Sequence, residues 1–301
     1  MTVQTASEAE SFWVQRLTSG AGFCCMLGSG SGQVLEGFWR DVFSTARPGA
    51  RLLEIGCGSG DVSIWAAEAG RRLRIVASDI HDHPEIVRQH PDVSFLGHAR
   101  AEALPVEAAS FDMIVSNFAF EYAGDRAAAA AELARVLRPG GGGAMVVHSA
   151  DSAVTESSRA LLEAHERLAA VDIPDRVRRS AALRADHLSR RKMLKDVLRL
   201  QEAFPAPRHA LTAAFFDIAE RLLRQDPAAR AELERVEGMA ARLVDMSKAQ
   251  IGAALDAAAL SSLQAQFLAQ GLQAHTSEIT GAYDNSLVQK VGWLIFLTKG
   301  V

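Results

Sequence analysis

Cysteine is scarce in this sequence of 301 residues: Cys24, Cys25 and Cys57 are the three present. Two are adjacent, the number is odd and none has metal-ligand spacing, so no disulfide framework or thiolate metal centre is indicated. A reducing cytoplasm is the expected setting. Basic charge is not in excess either. With a formal net charge of −4 the chain offers no general attraction for a phosphate backbone, and no nucleic-acid partner is expected. Long apolar runs are missing: nothing reaches the roughly twenty residues of a membrane span. The first residues include Glu8 and Glu10 rather than the basic region and apolar core of a secretory leader. No membrane association is expected. What the chain does have is hydrophobic content of 49%, enough to bury one large core, or one core and a smaller domain.

The most informative stretch is Leu52-Leu53-Glu54-Ile55-Gly56-Cys57-Gly58-Ser59-Gly60-Asp61, a strand that runs into a three-glycine turn and then a helix. Glycines at alternate positions remove the β-carbons that hold a ligand off the backbone, and they permit the unusual torsions of a sharp strand-to-helix turn. The third glycine falls one position earlier than in the dinucleotide fingerprint, which points away from NAD. A second strand, Leu73 to Ser78, ends in Asp79 roughly twenty residues later, where an acid is expected to accept the hydroxyls of a ribose. Two more blocks follow in order. Ala101-Glu102-Ala103-Leu104-Pro105 precedes Ser110 to Asn117, and Glu132 to Gly141 precedes another apolar strand.

Together these blocks resemble the class I S-adenosylmethionine-dependent methyltransferases, over roughly residues 33–150 and the last thirty. The resemblance implies S-adenosylmethionine as methyl-donor cosubstrate. It implies that Glu54 helps hold the methionyl amine, directly or through water, and that Gly56 and Gly58, with Cys57 between them, form the loop against the methionyl part. Asp79 corresponds to the ribose-binding acid, Ile80 to the apolar side chain packed on adenine, and Ala101 with Glu102 to the segment that reads the adenine edge. Asn117 joins this cofactor set. Arg100 departs from the pattern, because the family often has Asp there.

Strands near 51–55, 73–78, 92–97, 111–116 and 143–149 alternate with helical stretches, as in a doubly wound sheet. Ser7 and Glu10 mark a capping box before Phe12, Trp13 and Leu17, opening a short amphipathic helix. Gly28 to Gly32 reads as a flexible joint, and Val34, Leu35, Phe38, Val42 and Phe43 give a helix after it. After Asp151 the alternation stops, and the chain carries only helix signals. Leu211, Phe215, Ile218 and Leu222 share one face; Asp226-Pro227 starts another helix, continued by Leu233, Val236, Ala240 and Leu243. The expected organisation is an N-terminal helical segment (1–32), a methyltransferase core (33–150 and 259–301) and a helical cap or lid (151–258). The core is expected to be an α/β, seven-stranded Rossmann-like sheet with its last strand antiparallel and the cap inserted between strands 5 and 6. Ala274 to Thr280 and Trp293 to Thr298 supply the terminal antiparallel pair, after a helix from Leu260 to Gln270.

In such a sheet the ligand crevice lies at the carboxyl ends of the strands, which brings Asn117, Glu121 and Tyr122 near His148 and Asp151. Either Glu121 or His148 is a candidate general base for a hydroxyl or amine acceptor. The plainer readings are a solvated loop carboxylate and a histidine hydrogen-bonded at a strand end. Tyr122 stands where many relatives in the resembled family carry His, and it either packs on the cofactor or touches substrate. Ser116-Asn117-Phe118-Ala119 lacks the Pro-Pro-aromatic turn of nucleobase amino methyltransferases. His81, Asp82 and His83 match no standard ligand spacing, and no metal is expected. The basic run Arg176, Arg178, Arg179, Arg184, Arg190, Arg191, Lys192 and Lys195 is interspersed with acids, as on a solvated helical face. The favoured function is methyl transfer to a small-molecule acceptor, through oxygen or nitrogen, by a monomer or homodimer. The alternatives are a protein or RNA methyltransferase, and a non-catalytic S-adenosylmethionine-binding regulator.

Overall fold

A computed structural model describes residues 29–82, 90, 92–184, 187–204, 209–283 and 287–301. The expected first helix with Ser7, Glu10, Phe12, Trp13 and Leu17, and also Cys24, Cys25 and His83, lies outside them. The chain forms two compact units, one running to Glu156 and resuming at Gly252, the other Ser157–Ile251.

The first unit is built on a seven-stranded sheet of order β3-β2-β1-β4-β5-β7-β6. Its strands are β1 (Arg51–Ile55), β2 (Arg74–Ser78), β3 (Val93–Leu96), β4 (Phe111–Asn117), β5 (Leu137–Val147), β6 (Leu272–Tyr283) and β7 (Leu287–Lys299). Strands β1 to β5 pair in parallel, with Leu53 opposite Val76 and Ile114, whereas β7 is antiparallel to both β5 and β6. Parallel strands are covered on both faces, and the period-two alternation of a strand divides their apolar side chains between two cores. Leu52, Ile75, Val115 and Val146 pack with Leu35, Trp39 and Phe43 of helix α1 (Ser29–Ser44). Leu53, Ile114, Met145 and Val147 pack with Leu133 of α3 (Arg126–Val136) and with Leu260, Leu263 and Phe267 of α9 (Ala257–Ala269). Helix α2 (Asp61–Glu68) follows the glycine turn.

Two local expectations are corrected. Ser29 to Gly32 belong to α1 rather than to a joint: four residues of weak propensity are carried by a helix that buries Leu35, Trp39 and Phe43 completely, and packing outweighs propensity. Strand β5 starts at Leu137 rather than near 143, with a register shift opposite Phe111 to Met113. Gly142 and Gly143 serve close pairing, for a β-carbon on Gly143 would lie 2.2 Å from the Ile114 carbonyl oxygen.

In the second unit, α5 (Ile173–Ala182), α6 (Leu188–Arg199) and α7 (Ala210–Leu223) pack with parts of α4 (Ala153–Ala170) and α8 (Ala229–Ala253) around Leu168, Val177, Leu194, Phe215, Leu222 and Val236. The predicted stripe Leu211, Phe215, Ile218 and Leu222 is buried in α7. Asp226 caps a turn at Ala228, and α8 itself begins at Ala229. The solvated-face reading of the basic run holds for Arg178 and Arg179, which pair with Glu237, Asp172 and Asp175. Arg190 instead is buried and donates to the Leu222 carbonyl at 2.9 Å, closing the end of α7. Among the described residues no helix is long and apolar enough to cross a membrane.

Candidate active site

The carboxyl end of β1 turns through Gly56, Gly58 and Gly60 with φ of 66°, 52° and 86°, the left-handed region where only glycine is unstrained. Gly56 has a second duty: a β-carbon there would lie 2.3 Å from that of Ala119. The loop is thus held against the segment after β4. Cys57 donates its N–H to the Ser78 carbonyl at 2.9 Å, while its side chain is buried in the core. Burial, with Glu54 and Asp79 nearby, pushes its thiol well above the usual range, so only its backbone is suited to meet a ligand. The Gly58 N–H donates to Asp79 Oδ2 at 2.9 Å, and the His81 N–H to Oδ1 at 3.1 Å. Asp79 therefore braces the glycine loop, and a carboxylate has further lone pairs for ribose hydroxyls.

Glu54 is 1% exposed and accepts from the Ser63 hydroxyl. Burial, with Asp61 and Asp79 as neighbouring negative charges, pushes its carboxyl up to about 8, and no cation contributes to that shift. An acidic floor of this kind fits the ammonium of a methionyl group, which would supply the missing positive charge. On the nucleoside side, the Ala99 N–H donates to the Asp79 carbonyl at 2.9 Å, bringing the loop with Ala101 and Glu102 beside Asp79 and the half-buried Ile80. Arg100 lies 3.9 Å from Glu102, whose Oε1 also accepts from the Gly124 N–H at 2.7 Å.

Glu121 and His148 are not separate features. His148 Nδ1 lies 2.6 Å from Glu121 Oε1, and the same oxygen accepts the His148 backbone N–H at 2.9 Å. Both side chains are fully buried. The solvated-carboxylate reading of Glu121 is therefore wrong, because a short turn over Phe120–Tyr122 folds it inward under β5. The Phe118 ring lies 4.3 Å from the His148 ring, and Tyr122 meets that ring edge-on at 5.8 Å.

A family model described as a methyltransferase domain matches residues 53–145. Over these residues the core unit is similar to methyltransferase domains. The chain is 37% identical over 101 residues to an uncharacterised protein of Mycobacterium tuberculosis H37Rv, covering 31% of this chain and 35% of that one. It is 35% identical over 107 residues to a malonyl-[acyl-carrier protein] O-methyltransferase of Enterobacter lignolyticus, covering 36% and 42%. The chain thus spans about two fifths or less of the length of these relatives. A crystal structure of an S-adenosylmethionine-dependent methyltransferase from Aquifex aeolicus is similar at 19% identity and TM-score 0.35, over 38% of this chain and 65% of that one.

Several residues of this unit escaped sequence reasoning. Trp39 Nε1 donates to Asn117 Oδ1 at 3.1 Å, so α1 fixes the side chain of Asn117. Phe118 has φ of 52°, a costly torsion for an aromatic residue, and its ring is buried against His148. Arg126 holds the Glu121 carbonyl. Asp151, by contrast, is an exposed acid, bonded to Ser149 and to Lys290 Nζ at 2.8 Å, which holds its carboxyl below the usual range. The segment that follows β5 is tied into a knot: Ser149, Ser152 and Thr155 are fully buried, and both hydroxyls at 152 and 155 donate to the Ser149 carbonyl.

Proposed function

We propose that this chain transfers the methyl group of S-adenosylmethionine to a small-molecule acceptor through oxygen or nitrogen. The observation that carries the reading is the buried Glu121–His148 pair, set at the carboxyl ends of β4 and β5 beside the loop that Gly56 packs onto Ala119. Glu54, the backbone from Gly56 through Gly58, Asp79, Ile80, Ala101, Glu102 and Asn117 would hold the donor. When bound, S-adenosylmethionine supplies an electrophilic methyl group on a sulfonium, so the tasks left to the protein are alignment, exclusion of water and removal of the acceptor's proton.

Glu121 holds the imidazole through Nδ1, which fixes the ring and leaves removal of the acceptor's proton to the histidine in this reading. His148 is then the base and Glu121 its orienting partner, with Tyr122 packed on the imidazole edge. Of the two candidates for the base, this division of labour favours His148. The helical unit acts as a lid in the same reading. Its two connections are drawn together where β5 ends, because Ala150 and Leu255 are bridged by a 3.0 Å hydrogen bond.

The test is incubation with methyl-labelled S-adenosylmethionine and a pool of small metabolites, followed by mass spectrometry. A labelled small molecule supports the reading. Label on protein or RNA replaces it with a macromolecular acceptor, and binding without any transfer replaces it with a regulatory role.

A further inference from the structure

A half-buried cation at the start of α3 is out of place energetically. Arg126 is the first residue of that helix, which Asp125 caps, and a positive side chain is disfavoured at a helix N-terminus. Burial also lowers its affinity for its proton, and Glu121 is the one ionised group that counters this. Its hydrogen bonds go to backbone carbonyls. Nε and Nη2 donate to the Glu121 oxygen at 3.0 and 2.8 Å, and Nη2 also donates to the Ala253 oxygen at 3.2 Å. Ala253 closes α8, and the chain that follows it grips the other member of the pair: the Leu255 N–H donates to the His148 carbonyl at 2.8 Å. Trp293 Nε1 fixes Leu255 in turn, donating to its carbonyl at 3.0 Å.

We propose that Arg126 is a positioning residue for the Glu121–His148 pair. Its guanidinium pins the backbone of Glu121 while the returning segment Ala253–Leu255, which the same guanidinium touches, pins the backbone of His148. Two features of the pair call for such a brace. The Nδ1···Oε1 contact of 2.6 Å depends on a turn of three residues keeping its place under β5. Glu121 Oε2 is buried with no hydrogen-bond partner among the described residues, so its negative charge needs a nearby positive field. Arg126 supplies both the fork and the field. Lysine has the charge without the planar fork that grips one carbonyl with two donors.

The consequence for turnover rests on reading His148 as the base, but the positional claim does not, and its test is chosen accordingly. Full-length protein with isotope-labelled histidine is studied by NMR, with the Nδ1-bound proton of His148 assigned through His148→Gln. In the wild type this proton should resonate far downfield, as a short hydrogen bond to a carboxylate requires. In Arg126→Met it should move upfield or broaden away, with S-adenosylmethionine affinity unchanged by calorimetry, and Arg126→Lys should fall between the two. A folded Arg126→Met protein whose His148 proton is unmoved overturns the proposal. If Arg126→Met does not fold, Arg126→Lys decides, since loss of the fork alone must move the signal; an unmoved signal again overturns it. Should the wild type transfer no methyl group to any acceptor, the functional reading fails while this spectrum still decides the role of Arg126.

Discussion

Gly56 and Ala119 touch so closely that a β-carbon on the glycine would lie 2.3 Å from the alanine's own. The glycine turn after β1 is therefore shaped by its neighbour after β4 as much as by any ligand. Gly56→Ala forces an overlap at a residue with φ of 66°. Overpacking and left-handed strain together should cost about 2–4 kcal/mol of stability. Urea unfolding of the variant measures this, and wild-type stability would mean the loop yields freely.

Asp79 carries two loads, the N–H groups of Gly58 and His81 on one side and, in the proposed function, ribose hydroxyls on the other. Asp79→Asn keeps the shape and removes the charge. Calorimetry should find S-adenosylmethionine binding weakened by about 1.5–3 kcal/mol, the scale of hydrogen bonds to a charged group. Unchanged affinity would remove Asp79 from the site.

Glu54 gives the ligand-free protein a signed pH dependence. Its carboxyl stands at about 8 in the folded chain against an ordinary 4.5. Between those values the folded state binds more protons than the unfolded state, so this group's contribution to stability falls as pH rises from about 4.5 to 8. Glu54→Gln should flatten that slope in thermal melts and, in the same protein, weaken S-adenosylmethionine binding. A slope that survives the substitution would assign it to another group.

His209 has the opposite sign. Its Nδ1 accepts the Leu211 N–H at 3.2 Å as the cap of α7, and burial lowers its pKa below 6.5. The unfolded chain binds the proton more readily, so the cap's contribution is present above pH 6.5 and is lost as pH falls through the lowered value. His209→Asn, which caps without titrating, should reduce the acid sensitivity of α7 measured by hydrogen exchange. Equal acid sensitivity in both proteins would contradict the cap's role.

If the helical unit is a lid, segments around 155–170 and 183–225 should gain hydrogen-exchange protection when S-adenosylhomocysteine and acceptor are both bound, beyond that with cofactor alone. The buried knot at Ser149, Ser152 and Thr155 makes their own amides poor places for such a change. Protection that never responds to ligand would reduce the unit to a structural or partner-binding part.

The sheet was legible because its information is local: alternating apolar positions, a glycine turn and an acid at a strand end lie within short windows. Gly56 and Asp79 lie just past the ends of β1 and β2, as strand-end logic placed them, for the same reason. The pairing of Glu121 with His148 was not legible. Each residue was visible at its own strand end, but a contact across 27 positions is set by a turn that buries a carboxylate, which no periodicity announces. Trp39 and Asn117 are separated by 78 positions, and only the packing of α1 on the sheet brings them together.

The most direct test of the account is methyl transfer from labelled S-adenosylmethionine to a small-metabolite pool, run with the wild type and His148→Gln side by side. The wild type is predicted to yield a labelled small molecule. The variant is predicted to bind S-adenosylmethionine normally and yield about 100-fold less product, the range of a lost general base. A wild type that binds S-adenosylmethionine but labels no small molecule, or a variant that works at the wild-type rate, would contradict it.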